Sequence, residues 1–149
     1  MKKILPILML ASASVAWAQS TNAVGTWKGS VVAPDDLKKA IAKEKDAEKK
    51  KMAQAIYDQA MTAKFELTLN KDKTFVATIT QGGKSMKASG KWRQDKLKVY
   101  TTSTARDGKP VTGKEVQEKM WQMSKDGKGI IRPLGPDESP IPLAIFLKR

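Results

Sequence analysis

An alternation with a period of two, kept through four consecutive segments between Lys64 and Thr104, constrains this chain more than any other feature. Phe65, Leu67 and Leu69 fall on one side, and Glu66, Thr68 and Asn70 on the other. After Lys71-Asp72-Lys73 the pattern resumes with Phe75, Ala77 and Ile79. It continues with Met86, Ala88, Gly90 and Trp92, and then with Leu97, Val99, Thr101 and Ser103. Successive side chains of a strand point to opposite faces, so this spacing predicts antiparallel strands with one buried face and one wet face.

The punctuation agrees. Turns are expected at Lys71 to Lys73, at Gly82-Gly83, at Gln94-Asp95-Lys96, and at Arg106 to Lys109, where an Asp-Gly pair suits a tight hairpin. Val24 to Val32 predicts a strand before the meander, and Glu115 to Ser124, Lys128 to Arg132 and Ile141 to Leu147 predict three after it. Pro142 forbids one ladder bond, which puts its side of the last strand at an edge or a bulge. The fold class is therefore mainly β: an eight-stranded antiparallel up-and-down barrel or strongly bent meander. A barrel of eight strands is filled by side chains or holds one small ligand.

Between the first and second strands lies a helical insertion at about 35–62. No glycine, proline or asparagine interrupts Asp35 to Thr62, and Ala, Lys and Glu dominate it. Asp35 is expected to cap the helix, with Asp36 at the positive end of its dipole. Leu37, Ile41, Met52, Ala55 and Ile56 share one stripe, interrupted by Glu44, Lys45 and Glu48. One helix of this length would run about 40 Å, so it is expected to overhang the domain or to bend into two pieces near Lys45 to Lys51. Leu37, Ile41, Met52 and Ile56 are the candidate contacts between this lid and the barrel.

The first 18 residues have the form of a signal peptide. Lys2 and Lys3 precede an apolar run from Ile4 to Val15, and Ala16-Trp17-Ala18 is a cleavage site, so residues 19–149 form one mature domain. Export to the periplasm or the exterior, with no transmembrane anchor after cleavage, is the expectation. Without Lys2 and Lys3 the formal charge falls from +13 to +11. The chain has no cysteine and no histidine. Disulfide staples, thiol nucleophiles, Ser-His pairs and nearly all zinc or copper sites are thereby excluded.

Gly25-Thr26-Trp27 on the first strand resembles the Gly-x-Trp signature of the calycins, the lipocalins and fatty-acid-binding proteins. Gly90-Lys91-Trp92 midway is similar to bacterial lipocalin-like proteins. The resemblance implies a barrel with a helical segment over its mouth. It further implies that Arg149, in Phe146-Leu147-Lys148-Arg149, packs over Trp27. Gly25, Trp27 and Arg149 are thus the structural signature. The Arg-x-Tyr pair that grips a carboxylate in the fatty-acid-binding branch is missing: Leu143 to Leu147 is wholly apolar.

The predicted inward faces of the central strands carry no ionisable group, which makes Phe65, Leu67, Phe75, Ile79, Met86, Trp92, Leu97 and Val99 the candidate lining of a cavity for a small apolar or amphiphilic ligand. Small Ala77, Ala88 and Gly90 either leave room for that ligand or accommodate the aromatic rings of a packed core. No catalytic constellation, cofactor motif or metal motif emerges, so a non-enzymatic protein is expected. Asp137-Glu138, in a proline-bounded loop, is a cation-binding candidate whose default is a solvated turn. Lysines at 38, 39, 43, 45, 49, 50 and 51 are mixed with acids, as on a solvated helix face, with Asp46 and Lys50 spaced as a supportive pair. The basic surplus still favours an anionic envelope surface as a partner. Specific nucleic-acid binding is not expected, because aromatic residues are not interleaved with the basic ones.

Overall fold

The computed structural model describes residues 21–149; the expected signal peptide at 1–18 lies outside the described residues. The chain runs β1 (Gly25–Val32), α1 (Leu37–Lys43), α2 (Ala47–Met61), β2 (Lys64–Leu69), β3 (Thr74–Gln81), β4 (Lys84–Asp95), β5 (Lys98–Arg106) and the two-residue β6 (Lys109–Pro110). It continues through a short 3₁₀ turn at Gly113–Glu115 to β7 (Glu118–Met123), β8 (Gly129–Pro133) and β9 (Ala144–Lys148). Every pairing is antiparallel. The order β4-β3-β2-β1-β9-β8-β7-β5, with β5 returning to β4, closes an eight-stranded barrel. β6 is only the return arm of a hairpin on β5.

The hairpins form where the turn chemistry put them. Gly82 and Gly83 both take positive φ between Gln81 and Lys84, and so do Asp107 and Gly108 between Arg106 and Lys109. This is the two-residue turn whose twist matches that of the flanking strands. Strands β4 and β5 are longer than expected, and their turn is shifted: Asp95 pairs with Lys98, leaving Lys96 and Leu97 as the loop. Leu97 is therefore a turn residue rather than the first inward residue of β5. The last strand also starts late, at Ala144. Pro142 lies before it, and the ladder is joined instead by the Leu134 amide donating to the Leu143 carbonyl at 2.9 Å.

The inner face is filled in two parts. At the end where β1 begins, Trp27, Leu67, Leu69, Phe75, Trp92, Val99, Trp121, Met123, Ile130, Ile145 and Leu147 form one buried cluster. At the other end Val31, Leu37, Ile41, Ala63 and Leu143 form a second, and the helices seat on it. The insertion bends into two helices, one of the two expected outcomes. Asp46 is extended, and its Oδ1 accepts from the amides of Glu48 and Lys49 at 3.0 and 3.1 Å. A side chain that satisfies the free amides of a new first turn outcompetes continuation of the old helix. That duty also leaves Lys50 without Asp46 as its partner; its Nζ donates to the Ala42 carbonyl at 3.0 Å. At the start of α1 the capping position falls to Asp36, not Asp35, and no side-chain hydrogen bond forms there.

The break resets the helical phase, and this corrects one lid residue. Leu37 and Ile41 are buried, but Met52 is 63% exposed. The face of α2 that meets the barrel is Ala53, Tyr57, Ala60 and Met61, together with Ile56. A stripe extrapolated through Glu44 to Asp46 at 3.6 residues per turn assumes helical rise where the backbone is extended.

Candidate functional site

Beneath α2, at the helix end of the barrel, lies a pocket of about 250 Å³. Its walls are Val31 from β1, Phe65 from β2 and Ile79 from β3, roofed by Ile56, Ala60 and Ala63 and flanked by Leu134 and Leu143. Gln59, Gln81, Glu138 and Ser139 supply its polar rim. The Gln81 side chain donates from Nε2 to the Gln59 carbonyl at 2.9 Å, tying the end of α2 to the end of β3. Gln59, Ile79 and Gln81 also border a wider cleft of about 580 Å³, which runs out past Met86, Ser85 and Lys84 to Asp107. Pocket and cleft thus share one wall.

Of the expected lining, Phe65 and Ile79 reach the pocket and Met86 reaches the adjoining cleft. Leu67, Phe75, Trp92 and Val99 are instead packed among themselves in the cluster at the opposite end, between 0% and 4% exposed. Leu97, half-buried in its turn, borders a surface depression with Thr21, Asn22, Lys73, Gln94 and Lys96. Of the two expected states of the interior, the packed core holds at the far end and a short pocket remains under the lid. The large rings decide this, because Trp27, Phe75, Trp92 and Trp121 converge on one end of a narrow barrel.

That far end carries the signature contact. The Arg149 guanidinium lies over the Trp27 ring, with Cζ 4.5 Å from its centroid, and donates from Nη2 to the Asn22 carbonyl. The Trp27 Nε1 donates to the Ala23 carbonyl at 2.9 Å. Gly29, two residues on, faces the β9 backbone: a Cβ there would strike the Phe146 carbonyl oxygen. Beside the indole, the backbones of β1 and β9 thus approach closely at Gly29.

The interior also holds charges that the reading of the central strands missed. Lys119 shares the inner face of β7 with Trp121 and Met123, and Arg132 shares that of β8 with Ile130. The Arg132 Nη1 donates to both oxygens of Glu138, at 2.9 and 2.8 Å, and Lys119 Nζ stands 3.4 Å from the same carboxylate. The Arg132 Cζ lies 5.1 Å from the centre of the Trp121 ring. Glu138 meets the chain's own cations while its side chain stays 25% exposed. Burial pushes its pKa up, but the Gly135 amide, Arg132 and Lys119 together pull it below the usual carboxylate value. Among the described residues no group of three or more acidic side chains is placed to hold a metal ion, and no helix is long and apolar enough to cross a membrane.

Compared with known proteins, the chain matches no family model and no curated protein. The apolar pocket, its polar rim and the interior ion cluster are what its own geometry offers.

Proposed function

We propose that this is an exported, non-enzymatic, calycin-like protein that holds a small apolar or amphiphilic ligand under its helical lid. The observation that carries the reading is the pocket beneath α2: apolar walls, a few convergent polar groups, and a shared wall with a cleft that leads outward. The Gly25-x-Trp27 signature with Arg149 over the indole supports the calycin comparison. The pocket's volume lies just below the usual range for small-molecule sites, which favours medium-length chains over long ones. The test is thermal unfolding with decanol, because a ligand at free concentration L bound only by the folded state stabilises it by RT ln(1 + L/Kd) and so raises Tm with ligand concentration. A concentration-dependent rise that a bulky lid substitution, Ala60→Trp, abolishes is the expected result. No rise with decanol, together with a ligand-free mass for protein purified from its own source, would refute the reading.

A second reading rests on a separate observation. Leu67, Phe75, Trp92 and Val99 are consumed by core packing, and the sequence is strongly basic, +13 overall. A barrel of this kind works through its exterior, binding anionic envelope components. Retention on acidic vesicles that weakens steeply as salt rises would support it. No retention at low salt would dismiss it.

A further inference from the structure

Arg132 is the one side chain of β8 whose chemistry the apolar interior does not explain. Its side chain is only 12% exposed, which is costly for a guanidinium unless partners satisfy it. Glu138 supplies that pairing in an incomplete way. Both carboxylate oxygens accept from the single nitrogen Nη1. An arginine that meets a carboxylate squarely uses two nitrogens for two oxygens in parallel. Here the buried Nε finds no partner among the described residues. Lys119 directs a second cation at the same carboxylate. Two cations converge on one anion, and one buried donor is left over.

The anion itself comes from outside the barrel wall. Glu138 sits in the loop between β8 and β9, where the Gly135 amide donates to its Oε2 at 3.0 Å. Glu138 and Ser139 border the pocket, and Glu138 is the pocket residue that Arg132 and Lys119 pair with. We propose that Arg132 and Lys119 form an anion-binding locus inside the barrel, that Glu138 occupies it as a built-in substitute, and that the carboxylate or phosphate headgroup of an amphiphile replaces Glu138 while the tail fills the pocket under α2. This rests on the proposed ligand-binding role and adds the headgroup chemistry to it. Glu138 is already 25% exposed, so its swing toward water is short. A headgroup with two or three oxygens reaches Nη1 and the unpartnered Nε together, which the tethered glutamate does not.

The test uses the full chain and three probes with one tail: decanoate, decyl phosphate and decanol. Glu138→Gln removes the internal competitor, so the two anionic probes should bind about tenfold tighter while decanol is unchanged. Arg132→Met should weaken the anionic probes by about tenfold or more and leave decanol unchanged. If that variant fails to fold, Lys119→Met, at a partly exposed position, makes the same comparison with a smaller loss. The tighter of decanoate and decyl phosphate identifies which headgroup the locus fits. Anionic affinities that ignore Glu138→Gln, or that rise no more than decanol's, overturn this inference and leave the apolar pocket standing. Failure of all three probes with every variant removes the pocket reading along with it.

Discussion

Gly29→Ala gives the most direct check on how the barrel closes. Gly29 pairs with Leu147 where β1 meets β9, and its φ is not in the left-handed range, so alanine's backbone preferences are not at issue. Space is. The added methyl would sit well inside contact distance of the Phe146 carbonyl oxygen and close to the Leu147 Cα, both backbone atoms held in a ladder. Overpacking of this kind costs about 1 to 3 kcal/mol. Relief by parting the strands costs about 1 kcal/mol more for each ladder bond lost, while the stiffer unfolded chain returns about 0.5 kcal/mol. The net expectation is a loss of about 2 to 3 kcal/mol, or a fall in Tm of about 8 to 12 °C for a domain of this size. Gly83→Ala is the control, since there φ is +75° and nothing lies within 4 Å. Only the left-handed backbone penalty of about 1 to 2 kcal/mol applies to it. Urea unfolding measures both, with unchanged m values showing that the same surface is exposed. Gly29→Ala within about 0.5 kcal/mol of the parent, or less damaging than Gly83→Ala, would refute the close approach of β1 and β9.

Three further outcomes follow from side-chain contacts. Because its partners depress Glu138, its contribution to stability is complete above the ordinary carboxylate pKa and is lost as pH falls through the lower folded value. Acid unfolding should therefore show a loss below about pH 4.5 that Glu138→Gln no longer shows, and that variant should be less stable at neutral pH by about 1 to 2 kcal/mol; identical pH profiles would count against the ion cluster. Arg149→Ala should cost about 1 kcal/mol by uncovering the Trp27 ring, with a change in tryptophan emission; unaltered emission and stability would mean that the guanidinium does not rest there. Ile41→Ala should cost about 2 to 4 kcal/mol and Met52→Glu less than about 0.5 kcal/mol, because one is buried and the other open to water; equal effects in chemical denaturation would restore the continuous helical stripe.

The barrel was legible because its rule is local. Each of Phe65, Leu67, Phe75 and Val99 announces its face through its neighbours two residues away, and Gly82-Gly83 and Asp107-Gly108 announce the turns. The break between α1 and α2 was half legible: polar residues marked the place, but the competing role of Asp46 as a cap decided the phase, and with it the fates of Met52 and Tyr57. The interior cations were hidden for a different reason. Lys119 and Arg132 occupy inward positions in short strands, where Trp121 and Ile130 do carry the alternation that could have placed them. Reading inward positions as apolar passed over both, and their partner Glu138 reaches them from a loop whose course no periodicity describes. How far the lumen is filled was also beyond the sequence, since it depends on four large rings from different strands meeting at one end.

The junction of β1 with β9 has a kinetic side. Lys28 faces Lys148 across it, so the sheet cannot become a ring until nearly all the residues between them have been made. Until then β1 offers a bare edge to whatever strand comes by, which is a route to mispairing and aggregation. Long-range contacts of this kind also slow the search, because the entropy of closing so large a loop must be met before any bond rewards it. The last step of folding should then be the arrival of β9, and a chain stalled before it should behave as a sticky open sheet.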